Sequence, residues 1–133
     1  MRRSRKTGTT YETAAVLVGQ SRGGLWLARL KWPTHGSHAS VDFDWQNVLA
    51  REESHGDIIG FFHTHPDGMP NPSRRDDLTM ISWCSCFGKK LLCAIASVDQ
   101  VRAWIYEADG KAPSAVTQIS RFKGNWLVAS EGI

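Results

Sequence analysis

The pattern of apolar and polar positions predicts a pair of strands in the first third of the chain. Ala14–Val18 is an apolar run that ends at Gly19, which is typical of a buried strand. Apolar and polar residues then alternate over Leu25–Trp32, as expected of a strand that pairs back on the first across the turn at Gln20–Gly24. The composition of Pro33–Ser40 indicates a loop.

Two later segments have the spacing of amphipathic helices. Val41–Ser54 is the first, with Asp42 or Asp44 as the candidate N-cap. Ser73–Phe87 is the second, and Gly88 is expected to end it.

Strands are predicted between and after these helices. Ile58–Thr64 is strongly apolar, and Leu91–Val98 and Val101–Glu107 have the pattern of two strands around a turn. A weaker strand is expected near Ala115–Phe122, followed by a tail. Strands with two intervening helices predict the α/β (α+β) class, with a single mixed β-sheet flanked by helices in one domain.

Length and composition place the chain among globular proteins. It has 133 residues, of which 41% are hydrophobic and 22% are charged, and this composition excludes disordered and collagen-like classes. No apolar stretch reaches the roughly 20 residues of a membrane span, and no apolar run follows the N-terminus as in a secretory signal. We therefore expect a cytoplasmic protein that has no membrane partner.

The positive charge of the chain is concentrated at its start. The formal net charge is +3, with sixteen Lys and Arg against thirteen Asp and Glu. Four of the basic residues lie in the first six positions: Arg2, Arg3, Arg5 and Lys6. Residues 1–10 are expected to form a flexible basic leader, and residues 11–133 the folded domain. Because the rest of the chain has no basic surplus, nucleic acid is not an expected partner.

The three cysteines, Cys84, Cys86 and Cys93, contain no CxxC pair. An odd number without a secretion signal favours reduced thiols over a disulfide framework. Cys93 lies in an apolar run and is expected to be a small buried residue rather than a nucleophile.

The segment around His63 and His65 carries the residues best suited to chemistry. Alternate residues of a strand share a face, so both imidazoles can converge on one metal ion. A loop then leads to a helix whose first turn contains Ser73 and Asp76. Two imidazoles and one carboxylate leave a tetrahedral zinc with one open position, which is typical of a catalytic site.

These residues form the pattern His-x-His-Pro-x6-Ser-x-x-Asp, which resembles the JAMM motif of the JAB/MPN family of zinc metalloproteases. That family also has an upstream Glu followed seven residues later by Gly, and Glu12 and Gly19 match this spacing. The resemblance extends from about Tyr11 to about Glu107. It implies a JAB/MPN-like fold, and the short connection after the motif is similar to compact bacterial members that lack the insertions of eukaryotic ubiquitin-chain proteases.

The resemblance also implies a function for each residue of the motif. His63, His65 and Asp76 would bind one Zn²⁺ per chain. Glu12 would act as the general base, and Ser73 would donate a hydrogen bond to the developing oxyanion. Family members with this full set hydrolyse peptide or isopeptide bonds after the C-terminal Gly of ubiquitin, a ubiquitin-like protein or a sulfur-carrier protein, and some bacterial members belong to conjugation systems tied to phage defence.

Other interpretations of the same residues stay open. Ser73 and Asp76 also match a helix-capping pair, and Asp77 is a rival to Asp76 as the metal ligand.

The chain could instead be a non-catalytic MPN scaffold or a DNA-associated protein similar to RadC. His35 and His38 are expected in a solvated loop. Family members usually have a strand and a helix before the upstream Glu, and a partner could supply them here.

Overall fold

A computed structural model describes residues 11–37, 44–65, 70–97, 100–122 and 124–131 of the chain. The proposed leader, residues 1–10, lies outside the described residues. Within the described part the chain forms eight strands and two helices: β1 (Tyr11–Arg22), β2 (Leu25–Ser37), α1 (Trp45–His55), β3 (Ile58–Thr64), α2 (Arg74–Phe87), β4 (Leu91–Ala96), β5 (Val101–Tyr106), β6 (Ser114–Ala115), β7 (Gln118–Phe122) and β8 (Trp126–Ser130).

The described strands form one mixed sheet, in the order β6-β5-β4-β3-β1-β2-β8-β7. β3 and β4 pair in parallel, and the other neighbours pair antiparallel. The connection between the two parallel strands contains α2, as a crossover requires. A single mixed sheet with two helices confirms the predicted fold class.

Alternate residues of the central strands supply two separate cores. On the first face, Leu17 of β1 and Phe62 of β3 pack with buried residues of β2, β4, β5 and β8. The edge strand β7 folds across this face, since the Arg121 guanidinium lies 4.9 Å above the Phe62 ring. On the second face, Val48 of α1 and Met80 of α2 pack against the sheet. Both helices therefore cover the same face.

Most predicted elements are present, and both helices have the caps that the sequence indicated. α1 begins after Asp44, whose side chain accepts a hydrogen bond from the Asn47 backbone amide. α2 begins after Ser73 and ends before Gly88, which adopts a left-handed conformation. Of the two candidate N-caps of α1, Asp44 is confirmed, while residues 41–43 lie outside the described residues.

The loop predicted over Pro33–Ser40 is wrong for its first five residues, because β2 continues to Ser37. The pairing of β1 with β2 shifts register between Ala14 and Val16, and Trp32 has a φ of 53° beside this irregularity. The irregularity accommodates Pro33 within a long strand.

The C-terminal prediction is also wrong in part. One strand was expected over Ala115–Phe122, and the structure has two, β6 and β7, separated by two residues. The expected tail contains β8, whose Leu127 and Ala129 belong to the first core. No helix among the described residues is long and apolar enough to span a membrane.

Candidate metal centre

The two histidines lie where β3 ends. His63 pairs with Ala14 of β1 on one side and with Ile95 of β4 on the other. His65 follows the last residue of the strand, and its backbone amide donates to the Ala96 carbonyl at 2.8 Å. This bond continues the pairing past the end of β3, so both histidines have a fixed backbone. Their rings lie on the helix-covered face, with centroids 4.7 Å apart.

The first turn of α2 faces these histidines. The Ser73 side chain accepts a hydrogen bond from the Asp76 backbone amide at 3.1 Å, and Asp76 Oδ2 accepts from the Ser73 backbone amide at 2.7 Å. This reciprocal pair is a capping box. It satisfies two backbone donors at the start of the helix and fixes the direction of the Asp76 carboxylate.

The three side chains converge. Asp76 Oδ1 lies 3.3 Å from His63 Nε2, and Asp76 Oδ2 lies 3.5 Å from His65 Nε2. One ligand atom from each of the three residues lies within 4.8 Å of the others. The side chains are 17–21% exposed, so the cluster is shielded yet still open to solvent. The group could hold one metal ion.

The surroundings of Asp76 favour the carboxylate form. Burial by itself raises the pKa of Asp76, but the hydrogen bond and the charge of His63 and the Ser73 backbone amide lower it, and the net pKa is below the usual value. A ligand for a cation must be deprotonated. The position of the Asp76 side chain and its ionised form are therefore both those expected of a metal ligand.

Glu12 belongs to β1, where its backbone pairs with Gly36 of β2. Ala14, two residues along the same strand, is directly opposite His63. The Thr13 backbone amide donates to Thr64 Oγ1 at 2.9 Å, which ties this end of β1 to the end of β3. The backbone position of Glu12 is therefore at the same end of the sheet as the histidines, while its side chain lies outside the described residues.

Comparison with known families identifies the fold. The model of the prokaryotic homologs of the JAB domain matches residues 1–107 of the chain. The chain belongs to this family. No curated protein matches it. The matched JAB domain includes β1 to β5 and both helices. It therefore contains every residue of the candidate metal centre.

The rival ligand Asp77 has a different partner. Its Oδ1 accepts a hydrogen bond from the buried Tyr106 hydroxyl of β5. Burial and this bond to a carboxylate both raise the pKa of Tyr106, so the phenol stays protonated and remains the donor. Asp77 thereby attaches the first turn of α2 to the sheet and stands outside the histidine cluster. Among the described acids, the geometry favours Asp76.

The cysteines of the JAB domain are free thiols. Cys84 and Cys93 are buried, and burial raises the pKa of Cys84 to about 11 and that of Cys93 well above its ordinary value. Thiols that stay protonated near neutral pH are poor nucleophiles and poor metal ligands. Cys86 is exposed, and the described metal cluster contains no cysteine.

Among the described side chains, no other histidine joins the cluster. His55 is exposed at the end of α1, where its Nδ1 lies 2.7 Å from Ser54 Oγ. His35 was expected in a solvated loop, but its backbone is part of β2 and its side chain lies outside the described residues. His38 also lies outside them.

Two contacts that support the centre could not be inferred from motif spacing. One is the hydrogen bond between Tyr106 and Asp77, which are 29 positions apart. The other joins Arg102 Nη1 of β5 to Asn71 Oδ1 at 3.0 Å, and it holds the segment that leads into α2. One contact precedes the Ser73–Asp76 turn and the other follows it, and both lead to β5. No motif or spacing in the sequence marks Arg102 or Tyr106.

Proposed function

We propose that this JAB-domain protein is a zinc-dependent peptidase or isopeptidase. Its substrate would be a conjugate or fusion cleaved after the C-terminal Gly of a ubiquitin-like or sulfur-carrier protein. The observation that carries the proposal is the convergence of one ligand atom each from His63, His65 and Asp76 within 4.8 Å. Membership of the JAB family supports this class of reaction.

The donor set fits zinc. Two imidazole nitrogens and one carboxylate oxygen are typical zinc ligands, and catalytic zinc sites have three protein ligands and one open position. The partial exposure of the cluster leaves access for a small ligand. When bound there, zinc supplies a Lewis acid that makes water nucleophilic near neutral pH.

The residues of the chain divide the remaining tasks. His63, His65 and Asp76 would hold the metal, and the capping box and the ends of β3 and β4 fix their backbones. The Ser73 oxygen accepts the Asp76 amide, so its hydroxyl hydrogen is available to donate to an oxyanion. Glu12, from the nearby end of β1, would take a proton from the attacking water and give it to the leaving amine.

The substrate tail would bind as an extended strand. β8 pairs with β2 only over Leu25–Arg29, so the outer edge of β2 has no strand partner over Lys31–Ser37 among the described residues. The other edge of this stretch pairs with the first residues of β1, including Glu12. A Gly-rich tail added along this edge would reach the metal end of the sheet.

Metal content tests the ligand assignment. The full chain is purified without chelators, and zinc is measured in the parent protein, in His63→Ala and in His55→Ala. We expect about one zinc per chain in the parent and in His55→Ala, and none in His63→Ala. His55 is an exposed histidine outside the cluster and controls for non-specific binding. A parent protein without zinc, even after zinc is added, would overturn the proposal.

Cleavage tests the reaction class. Ubiquitin-like fusions that end in Gly-Gly are compared with the same fusions ending in Ala-Ala. We expect the parent protein to cleave only the Gly-Gly fusions. The Glu12→Gln variant is expected to retain zinc but to cleave neither set of fusions. If the parent protein binds one zinc per chain but cleaves no member of a panel of such fusions, the non-catalytic scaffold would be favoured.

A further inference from the structure

On the helix-covered face of the sheet, the described helices α1 and α2 leave one surface exposed. Side chains of β2 alternate, and Trp26, Ala28 and Leu30 belong to the first core. The intervening residues therefore point to the second face. We define the β2–β8 patch as four of them together with a tryptophan of β8: Leu25, Leu27, Arg29, Lys31 and Trp126.

The patch is unusually apolar for a surface. Leu25 is 52% exposed, Leu27 38% and Trp126 40%. They are three of the six large hydrophobic residues exposed in the described part of the chain. Leu27, Arg29, Lys31 and Trp126 also line a groove of about 360 Å³. Large apolar side chains exposed at a groove, with charged residues beside them, are a common feature of binding sites.

The patch also carries positive charge. The Arg29 guanidinium lies 5.7 Å above the Trp126 ring, and Lys31 Nζ lies 5.8 Å above the Trp32 ring. No carboxylate of the described residues forms an ion pair with either cation. Arg51 also lines the groove, but it is paired with Asp57 at 2.6 Å. Arg29 and Lys31 are therefore the cations available to a ligand.

The two leucines and the two basic residues of the patch are separated along β2. Leu25 and Leu27 lie next to the turn between β1 and β2, and Arg29 and Lys31 follow them along the same face over about 20 Å. Trp126 lies opposite Arg29 in the register of β2 with β8. We propose that the β2–β8 patch docks a segment of a partner protein that presents apolar side chains at one end and carboxylates at the other.

Charge distinguishes this occupant from others. A two-fold axis through this patch would place the basic half of each copy over the leucine half of the other, where Arg29 and Lys31 would meet no carboxylate. Two available cations beside three large apolar residues are also too few for a nucleic-acid backbone. An acidic and apolar protein segment complements both halves of the patch.

The patch is separate from the candidate metal centre. Arg29 pairs with Val18, which in turn pairs with Ile58 at the start of β3. His63 lies at the other end of β3. The basic end of the patch is nearer to the metal centre, since Lys31 pairs with Val16 and Val16 pairs with Phe61, two residues from His63. No patch residue belongs to the histidine cluster, and this inference does not depend on the proposed hydrolase function.

Peptide binding tests the patch directly. The probe is a labelled peptide of about eight residues, long enough to span the patch when extended, with alternate Leu in one half and alternate Glu in the other. Its control carries Lys in place of Glu. We expect the Glu peptide to bind and to shift the Trp126 indole signal in a two-dimensional NMR spectrum, assigned with Trp126→Phe. The signal of Trp45, which is exposed at the start of α1, should not shift.

Substitution of the cations provides the second test. The double variant Arg29→Gln/Lys31→Gln removes both charges from the surface of β2 and is expected to weaken binding about tenfold. Lys111→Gln, a single exposed cation on the loop after β5, should leave binding unchanged. Equal binding of the Lys peptide, or unchanged binding by the double variant, would overturn the proposal. Patch-dependent self-association, or patch-dependent sedimentation with phosphatidylserine vesicles, would also overturn it by assigning the patch to a second copy or to a membrane.

Discussion

At the scale of single residues, Asp76 combines two functions that the sequence presented as alternatives. Its Oδ2 closes the capping box with the Ser73 backbone amide, and its Oδ1 points to His63 Nε2. A carboxylate has two oxygens with several acceptor positions, so one oxygen can cap the helix while the other faces the cluster. The helix cap therefore orients the candidate ligand and does not compete with it.

The substitution Asp76→Asn separates these functions. An Asn side chain keeps a carbonyl oxygen for the Ser73 amide but loses the negative charge that a metal ion needs. We expect zinc content to fall to the level of His63→Ala, while chemical denaturation in chelator shows a loss of only about 1 kcal/mol in the free energy of unfolding. Stoichiometric zinc in Asp76→Asn would show that the carboxylate is not a ligand.

Ser73→Ala probes the other partner of the capping box. Loss of the N-cap should reduce the free energy of unfolding by about 1 kcal/mol, and loss of an oxyanion donor should lower kcat by roughly 10²- to 10³-fold. Zinc content should not change. Asp44→Ala removes the comparable cap of α1, which accepts the Asn47 amide, and should match the loss of stability without the loss of kcat. Equal kcat in both variants would limit Ser73 to capping.

At the scale of secondary-structure elements, an ion pair ties α1 to the start of β3. Arg51 Nε and Nη2 donate to the two Asp57 oxygens at 2.8 and 2.6 Å. The Asp57 carbonyl also accepts the Gly19 backbone amide of β1. Gly19 itself has no room for a side chain, since a Cβ there would lie 2.0 Å from the Leu27 carbonyl oxygen. This junction fixes the end of the sheet opposite the metal centre.

The ion pair between Arg51 and Asp57 predicts a specific pH dependence of the free energy of unfolding. The hydrogen bond from Arg51 lowers the pKa of Asp57 below 3.8, its ordinary value. The unfolded chain then binds more protons than the folded chain near that pH, so this contribution to stability is present above it and is lost as the pH falls through the folded pKa. In chelator, Asp57→Asn should lose less stability than the parent protein between about pH 5 and pH 3.

Asp109→Asn is the matched control for that comparison. Asp109 is an exposed carboxylate that makes no close ion pair: its Oδ1 accepts the Lys111 backbone amide at 3.0 Å, and its Oδ2 lies 4.0 Å from Lys111 Nζ. Its replacement should leave the acid dependence of the parent unchanged. If Asp57→Asn and the parent lose the same stability over this pH range, the ion pair does not contribute to folding.

Sequence patterns predicted the helices and central strands because their signals are local. Asp44, Ser73 and Gly88 act within one turn of helix, and Ile58–Thr64 is apolar on both faces because both faces of β3 are buried. The convergence of the two histidines was predicted from the same local spacing, and Asp76 was expected as their partner from the resemblance to the JAMM motif. By contrast, the strand over Pro33–Ser37 was missed because a proline is tolerated only where the outer edge of β2 lacks a partner, and that pairing is not local.

At the scale of the whole molecule, the residues after the JAB match complete the fold. The match ends at residue 107, yet β8 adds Leu127 and Ala129 to the first core, together with Phe62 of β3. The Trp26 indole donates to Glu131 Oε2 at 2.7 Å, which attaches the end of β8 to β2. Because β3 carries Phe62 on one face and His63 on the other, the candidate metal centre rests on a strand that the C-terminal strands help to bury.

Leu127→Ala tests this dependence. Leu127 is fully buried, and its truncation should lower the free energy of unfolding by about 2–5 kcal/mol, as transfer and cavity costs add. Leu78→Ala makes the same change at a side chain that is 60% exposed on α2 and should cost less than about 0.5 kcal/mol. Denaturant titration of both variants measures the difference. Equal small losses in both variants would mean that residues 1–107 form the stable unit and that β8 is dispensable. A large loss for Leu127→Ala alone would mean that the domain supporting the candidate metal centre extends through β8, the last described strand.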